Sequence, residues 1–164
     1  MEFWSVFWQE LSAGRNNFGQ IERVMLRVIA ATLLGALVGV ERERAGKAAG
    51  LRTHILVCLG TAIVVLVSAG SQMSLDGLSR VIQGIVTGIG FIGAGSILKL
   101  EHEHRIRGLT TAAGLWVTAG IGIACGLGTL GLAMIATAMT LIVLRVLQAI
   151  ESHAIDEKEE KTGP

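Results

Sequence analysis

The sequence is organised around Gly84-Ile-Val-Thr-Gly88-Ile-Gly90-Phe-Ile-Gly93-Ala-Gly95-Ser-Ile-Leu98, an apolar run that contains five glycines. In water, each glycine destabilises a helix by about 0.5 to 1 kcal/mol relative to alanine. In a bilayer, no water competes for the backbone amides, and small residues let neighbouring helices approach closely. The run therefore predicts a crowded transmembrane helix. Its glycines serve either close packing or a local opening between Gly90 and Gly95 that presents the backbone to a solute.

The composition extends this interpretation to the whole chain. Of the 164 residues, 51% are hydrophobic and only 16% are charged, and the mean hydropathy is +0.61. These values are typical of an integral membrane protein and predict an all-α, polytopic fold. A net charge of +1, without a basic cluster interleaved with aromatic residues, argues against nucleic acid as a partner. Cys58 and Cys125 lie in apolar runs and are predicted to be packing residues rather than a disulfide.

Five transmembrane helices are predicted, at about residues 21–40, 54–72, 81–98, 109–126 and 129–148. The last two need a turn between them, because the 36 residues from Leu109 to Leu144 carry no charge. As one helix they would measure about 54 Å, against a hydrocarbon core of about 30 Å. The cluster of glycines at Gly126, Gly128 and Gly131 supplies helix breakers at the right depth, so the turn is placed there.

Two segments flank the predicted transmembrane domain, which spans residues 21–150. In residues 1–20, apolar side chains recur at i, i+4 and i+8 from Phe3 with two tryptophans beside them. This pattern predicts an N-terminal amphipathic helix in the membrane interface. Residues 151–164 are rich in charge and are predicted to form a flexible cytoplasmic tail.

The basic residues of the loops predict the orientation. Lysine and arginine are concentrated after the first and third spans, whereas the loop after the second span has only Arg80 and the turn after the fourth has none. By the positive-inside rule, the two basic segments face the cytoplasm. The N-terminus is therefore predicted to lie outside and the C-terminus inside.

The chain also contains an internal repeat. An ungapped shift of 58 residues aligns Gly35-Ala36 with Gly93-Ala94, Glu43 with Glu101, and Gly50-Leu51-Arg52-Thr53 with Gly108-Leu109-Thr110-Thr111. Both halves run from outside to inside and back, so the repeat is parallel, with a pseudo-two-fold axis along the membrane normal. The predicted architecture is two helical hairpins plus one further span.

The repeat superposes two polar corners at the cytoplasmic helix ends. The residues predicted to gather there are Glu41, Arg42, Glu43, Arg52, Thr53 and His54 in the first corner, and Ser96, Glu101, Arg107, Thr110 and Thr111 in the second. Thr53 and Thr111 either cap the helices that they begin or, with the helix N-termini and the arginines Arg52 and Arg107, hold an anion.

Glu41 is the strongest single candidate, because it directly follows an apolar run and lies at the edge of the hydrocarbon region. A carboxylate there is costly unless it is paired or hydrated. It is therefore either a functional group or one half of a salt bridge with Arg42, Arg52 or Arg107. If it is only a salt bridge, replacing Glu41 by glutamine should cost little, because the arginine can extend to water.

A metal site is a weaker candidate. Glu101-His102-Glu103-His104 combines imidazole and carboxylate ligands, but neighbouring side chains in a short hydrophilic turn need not converge. Serine, histidine and acidic residues do not fall into a pattern for nucleophilic catalysis. The chain is therefore predicted not to be an enzyme and to carry no cofactor, with magnesium or another ion as the small ligand to consider.

Several stretches together resemble one family. Gly39-Val-Glu41-Arg-Glu43, then Gly50-Leu-Arg52-Thr53, then Asp76 and Arg80 ahead of the glycine-rich run, then Gly108-Leu-Thr-Thr-Ala-Ala-Gly-Leu-Trp116 follow the order of the MgtC/SapB membrane domain, from about residue 25 to 147. The resemblance implies a bacterial inner-membrane protein associated with magnesium limitation, acid tolerance and intracellular survival of pathogens. It also implies the proton-translocating ATP synthase as a membrane partner, and many members add a soluble C-terminal domain. The motifs add Asp76, Arg80, Gly90, Gly93, Gly95 and Trp116 to the candidate site residues.

Two functions remain open at this point, and we favour the first. The glycine-rich faces favour a regulator that binds other membrane helices. The repeat, an opened third span and the acidic corner favour an oligomeric channel or transporter for an ion or small solute. A metal-dependent membrane enzyme is a third hypothesis with little in its favour. A homodimer is expected, because the i, i+4 glycine pairs Gly35 with Gly39 and Gly122 with Gly126 offer close-approach faces that five helices need not use up.

Overall fold

A computed structural model describes residues 4–6, 18–70, 73–100 and 105–162. Besides the helical residues 4–6, the described part of the chain forms five long helices and one small hairpin: α1 (Phe18–Arg44), α2 (Leu51–Gly70), α3 (Leu75–Gly95), β1 (Leu98–Leu100), β2 (Arg105–Arg107), α4 (Leu109–Leu127) and α5 (Leu130–Thr162). The two strands are antiparallel, with Leu98 opposite Arg107. The predicted interfacial segment at 1–20 lies mostly outside the described residues. Residues 4–6 are helical, and residues 18–20 already belong to α1.

The all-α polytopic prediction is confirmed. Among the described residues, α1 to α4 each contain a stretch long and apolar enough to cross a membrane. The apolar part of α5 is shorter, Leu130–Val146, and covers about 25 Å as a helix. Many large apolar side chains are exposed on the outer surface of the bundle, among them Leu56, Val67, Phe91 and Leu132. Such a surface is stable in contact with acyl chains rather than with water. The chain is therefore a membrane protein.

Helix α3 differs from the predicted third span at both ends. It begins at Leu75 rather than near residue 81, because Ser74 caps its first turn: the N–H of Gly77 donates to Ser74 Oγ at 3.2 Å. Asp76 in that turn is favourable at the positive end of the helix dipole. The helix ends at Gly95, and residues 98–100 form β1 instead of a last turn. The backbone is continuously helical from Gly90 to Gly95, so of the two interpretations of these glycines, α3 does not show the local opening.

The segment 151–164 was predicted to be a flexible cytoplasmic tail, and its flexibility stays a prediction. The backbone of α5 continues as a helix to Thr162. Glutamate and lysine account for six of the 14 residues from 151 to 164, and both are strong helix formers. The charged residues keep this segment out of a hydrophobic core, but the segment retains its intrinsic preference for helix.

Helices α2 and α4 form the centre of the bundle, and each of α1 and α3 packs against both of them. The turn between α4 and α5 falls at Gly128 and Thr129, within the predicted cluster. Cys58 and Cys125 are free, buried members of the core, as predicted. Which end of the bundle faces the cytoplasm stays a prediction.

Glycines bring the central helices into close contact. A Cβ added at Gly126 would lie 2.7 Å from Val65 Cβ, and one at Gly122 would collide with Thr61 Oγ1. On α1, a Cβ at Gly35 would lie 2.8 Å from Cys58 Cβ. The i, i+4 glycine pairs of α1 and α4 are therefore already used inside one chain. They do not supply the free faces on which the homodimer prediction rested.

Candidate functional site at the end of α1

The carboxylate of Glu41 pairs with the guanidinium of Arg42 in the last turn of α1. Arg42 Nη2 donates to Glu41 Oε1 at 2.7 Å, and Arg42 Nε donates to Glu41 Oε2. The exposed fraction is 7% for Glu41 and 2% for Arg42, so both charges are removed from water. The sequence left two interpretations of Glu41 open, a functional group or one half of a salt bridge, and the described contacts include the salt bridge with Arg42. A buried pair of this kind is stable only while both partners are present, because the loss of one leaves an uncompensated charge.

Helix α1 ends in a turn that brings Lys47 back beside Arg42. Gly46 has a φ of 66°. Its N–H donates to Glu43 O at 3.0 Å, and the N–H of Lys47 donates to Arg42 O at 3.0 Å. These two hydrogen bonds define a Schellman motif, in which the left-handed residue is usually glycine. As a result, Lys47 and Arg42 line the same cavity.

Glu43 has a structural task in this corner. Its carboxylate accepts a hydrogen bond from the N–H of Leu51 at 2.8 Å and so caps the start of α2. Thr53, predicted to cap this helix, lies instead with the exposed Arg52 in a groove of about 450 Å³ between α2 and α3. Arg52 and Thr53 are therefore close to the ion pair in sequence but line a different cavity.

His54 is buried one turn into α2 with an exposed fraction of 0%. Its Nδ1 lies 3.0 Å from Gly50 O, and because a carbonyl only accepts, Nδ1 carries the proton. Nε2 is then an acceptor in the neutral ring. Among the described residues, it is a buried side-chain polar atom with no hydrogen-bond partner. A Cβ added at Gly114 of α4 would lie 3.6 Å from this Nε2 and 4.0 Å from Arg42 Cδ.

The second corner joins the end of α3 to the start of α4 by backbone contact. Gly108, with a φ of 97°, is the N-cap of α4 and makes no side-chain cap hydrogen bond, so Thr111 does not act as the predicted cap. A Cβ at Gly108 would collide with Ser96 O. Ser96 Oγ in turn donates to Gly93 O at 2.7 Å. Thr111 is buried, whereas Thr110 and Arg107 are exposed.

Several predicted site residues do not join either corner. Asp76 and Arg80 lie in the first two turns of α3, at the opposite end of the bundle, and both are exposed. Trp116 is 55% exposed on α4. The candidate metal ligands Glu101, His102, Glu103 and His104 lie outside the described residues. Among the residues that the structure does describe, no group of three or more histidine, cysteine, aspartate or glutamate side chains is placed to hold a metal ion.

Two cavities lie at the buried ion pair. The first, of about 390 Å³, is formed by α1, α4 and α5 and is lined by Arg42 and Lys47. The second, of about 880 Å³, is formed by α1 and α5 and is lined by Glu41, Arg44 and Arg145. The pair thus presents its cation to one cavity and its anion to the other.

Sequence reasoning did not single out Arg27, Lys47 and Gly114. Arg27 Nη1 donates to Gly126 O at 3.0 Å and satisfies a free carbonyl in the last turn of α4. The sequence did carry a signal for Arg27: an arginine inside an apolar run needs a partner within the protein, because its charge is costly in lipid. For Lys47 and Gly114 the sequence carries no comparable signal, since their roles depend on which helices are neighbours.

The fold and this buried polar corner define a polytopic α-helical membrane protein. A family model described as "MgtC family" matches residues 28–153, and the chain belongs to this family.

Related proteins agree with this assignment. The chain is 40% identical to Protein SrpB of Synechococcus elongatus over 139 residues, covering 78% of this chain and 76% of SrpB. It is 44% identical over 133 residues to the Escherichia coli K12 protein named "Putative magnesium transporter YhiD", covering 77% of this chain and 61% of YhiD. It is 45% identical to Protein MgtC of Salmonella typhimurium over 141 residues, covering 84% of this chain and 59% of MgtC. No solved structure matches.

Proposed function

We propose that this chain is a membrane regulator in magnesium homeostasis and in adaptation to acid or low-magnesium stress, and that it acts by binding another membrane helix through α3. The name of the relative YhiD supports the link to magnesium. The mode of action rests on one observation, the exposure of a glycine-rich face on α3. We call this the α3 open face, which consists of Gly84, Thr87, Gly88, Phe91 and Gly95.

The α3 open face follows helical spacing, at i, i+3, i+4, i+7 and i+11, and all five residues are exposed. A Cβ added at Gly84, Gly88 or Gly95 would meet no other element within 4 Å among the described residues. The buried residues of α3, Ile89 and Gly93, lie on the other side of the helix. A glycine that faces acyl chains makes no favourable packing contact with a side chain of its own. A second helix, in contrast, can approach a glycine until the two backbones are in contact. The candidate occupants are a helix of the ATP synthase, which the family resemblance implies, and a second copy of this chain.

The alternative is an oligomeric channel or transporter for magnesium or another ion at the Glu41 corner, which the name of YhiD also favours. Two features on which that hypothesis relied carry less weight here. The third span is continuous, and the carboxylate of Glu41 is occupied by Arg42.

Two leucine substitutions test the proposal. Gly88→Leu fills the α3 open face, and Gly120→Leu on α4 is its matched control, because Gly120 is also exposed and a Cβ there meets nothing within 4 Å. We expect Gly88→Leu to lower the amount of co-purified membrane partner about tenfold, the loss that corresponds to about 1.4 kcal/mol of helix packing. Growth at low magnesium should fall with it, whereas Gly120→Leu should match the unmutated protein in both measurements.

Equal behaviour of the two leucine variants would contradict docking on α3. Magnesium flux into liposomes that contain only the unmutated protein, retained in the Gly88→Leu variant, would favour the transport alternative instead.

A further inference from the structure

The cavity of about 390 Å³ between α1, α4 and α5 has a polar end and an apolar interior. Arg42, Lys47 and Thr110 form its polar end, and the lining residues that the structure describes include no carboxylate. Thr110 belongs to the first turn of α4, where the N-cap Gly108 contributes no side-chain hydrogen bond. The positive end of the helix dipole therefore adds to the charge of Lys47, whereas the charge of Arg42 is balanced by Glu41. This end of the cavity is complementary to an anion.

The remaining wall of the cavity is apolar and opens to the lipid-facing surface. Val117, Met139, Val143 and Leu144 line it. Met139 is 53% exposed and Val143 is 48% exposed, so the cavity is continuous with the outer face of α5. The hydroxyl of Thr140 in this wall already donates to Ala136 O at 2.7 Å. A hydrated inorganic anion would leave most of its oxygens against hydrocarbon here, whereas an amphiphile matches both ends.

The volume fits a headgroup rather than a whole lipid. At about 30 Å³ per water molecule in the liquid, a cavity of 390 Å³ has the volume of roughly thirteen waters. A phosphate diester with a glycerol group is of this size. The acyl chains would then lie along the exposed apolar residues of α5, such as Ile135 and Ile142.

We propose that the cavity between α1, α4 and α5 binds the headgroup of an anionic phospholipid. The phosphate lies at the end formed by Lys47 and the first turn of α4, and phosphatidylglycerol is the probe that represents this class of lipid. This site is separate from the α3 open face, so the lipid proposal and the proposed function can fail independently.

Binding to the purified full chain in detergent tests the proposal, with three probes measured by native mass spectrometry or thermal shift. The probes are phosphatidylglycerol, phosphatidylcholine with the same acyl chains, and sodium phosphate. Lys47→Gln removes a cation from the cavity, and Arg52→Gln is its control, because Arg52 is an exposed cation on a different groove. Ala113→Leu fills the cavity without changing charge, and Ala138→Leu is its control on an exposed position of α5 outside the lining.

We expect phosphatidylglycerol to bind more tightly than phosphatidylcholine. Lys47→Gln should weaken phosphatidylglycerol binding about fivefold, the contribution of one cation near an anionic lipid. Ala113→Leu should weaken it at least as much, and both controls should leave it unchanged. An equal loss in Arg52→Gln would show general surface attraction and overturn the site. Tight binding of sodium phosphate that Ala113→Leu abolishes, without preference for phosphatidylglycerol, would assign the cavity to a free anion and overturn the lipid proposal.

Discussion

One pair of glycines on α4 and one pair on α3 have the same spacing but meet opposite environments. Gly122 and Gly126 of α4 lie where an added Cβ would strike Thr61 and Val65 of α2. Gly84 and Gly88 of α3, with the same i, i+4 spacing, face no other element within 4 Å among the described residues. One small-residue pattern can therefore hold a chain together or leave a surface free, and spacing alone does not distinguish the two cases.

The two halves of the repeat also differ in the charged residues at their polar ends. Position 41 is a buried glutamate paired with Arg42, whereas the position that the repeat aligns with it is Lys99, at the start of the hairpin between α3 and α4. The first half thus carries the buried charges, and α3 contributes mainly Ile89 and Gly93 to the core. We infer that the first half and α4 stabilise the fold, which leaves α3 free for interaction.

The largest effect should follow from breaking the buried charge pair in the first half. Glu41→Gln leaves the guanidinium of Arg42 uncompensated, and removal of one partner of a buried pair costs about 3 to 5 kcal/mol. Arg42 is 2% exposed, so it cannot reach water by extension, as the sequence interpretation assumed. Thermal unfolding in detergent measures the loss. Glu43→Gln is the control: its amide oxygen can still accept from Leu51, and a loss similar to that of Glu41→Gln would contradict the special role of the pair.

A smaller loss should follow from filling the α2 to α4 contact. Gly122→Ala places a Cβ in collision with Thr61 Oγ1 and Cys58 O, and such overpacking costs about 1 to 3 kcal/mol. Gly120→Ala, two residues away on the exposed side of α4, should be neutral or stabilising by up to about 1 kcal/mol. The same unfolding assay compares the two. If both variants unfold alike, the contact between α2 and α4 is looser than the described packing.

The smallest effect should come from the double variant Gly84→Ala, Gly88→Ala on the α3 open face. Both added methyl groups meet open space, so the unfolding free energy of the isolated chain should change by no more than about 1 kcal/mol per site, with a gain expected from helix propensity. Measurement in lipid nanodiscs with a single chain each avoids a contribution from a second copy. A loss as large as that of Gly122→Ala would show that this face packs within the chain.

Much of the architecture was predictable because it depends on local composition. The length of uncharged runs required the turn near Gly128, and the apolar context of Cys58 and Cys125 predicted their burial. The boundaries of α3 were less predictable, since Asp76 and Arg80 resemble loop residues until Ser74 is recognised as a cap. At the candidate site, proximity in sequence pointed to Glu41 and Arg42. It could not reveal Lys47, which a left-handed turn at Gly46 brings back, or Gly114, which meets His54 only because α2 and α4 are neighbours.

The sequence by itself determined that this is a helical membrane protein of several spans with polar residues at the helix ends, because lipid forces every backbone polar group to be satisfied within a helix. Which glycines are buried, which arginine pairs with Glu41 and which face stays free were decided only by the tertiary structure. The reason is physical: lipid acyl chains are as apolar as the side chains that face them, so burial between helices is selected by shape and hydrogen bonding rather than by hydrophobicity. Such complementarity exists only once the helices are placed beside one another.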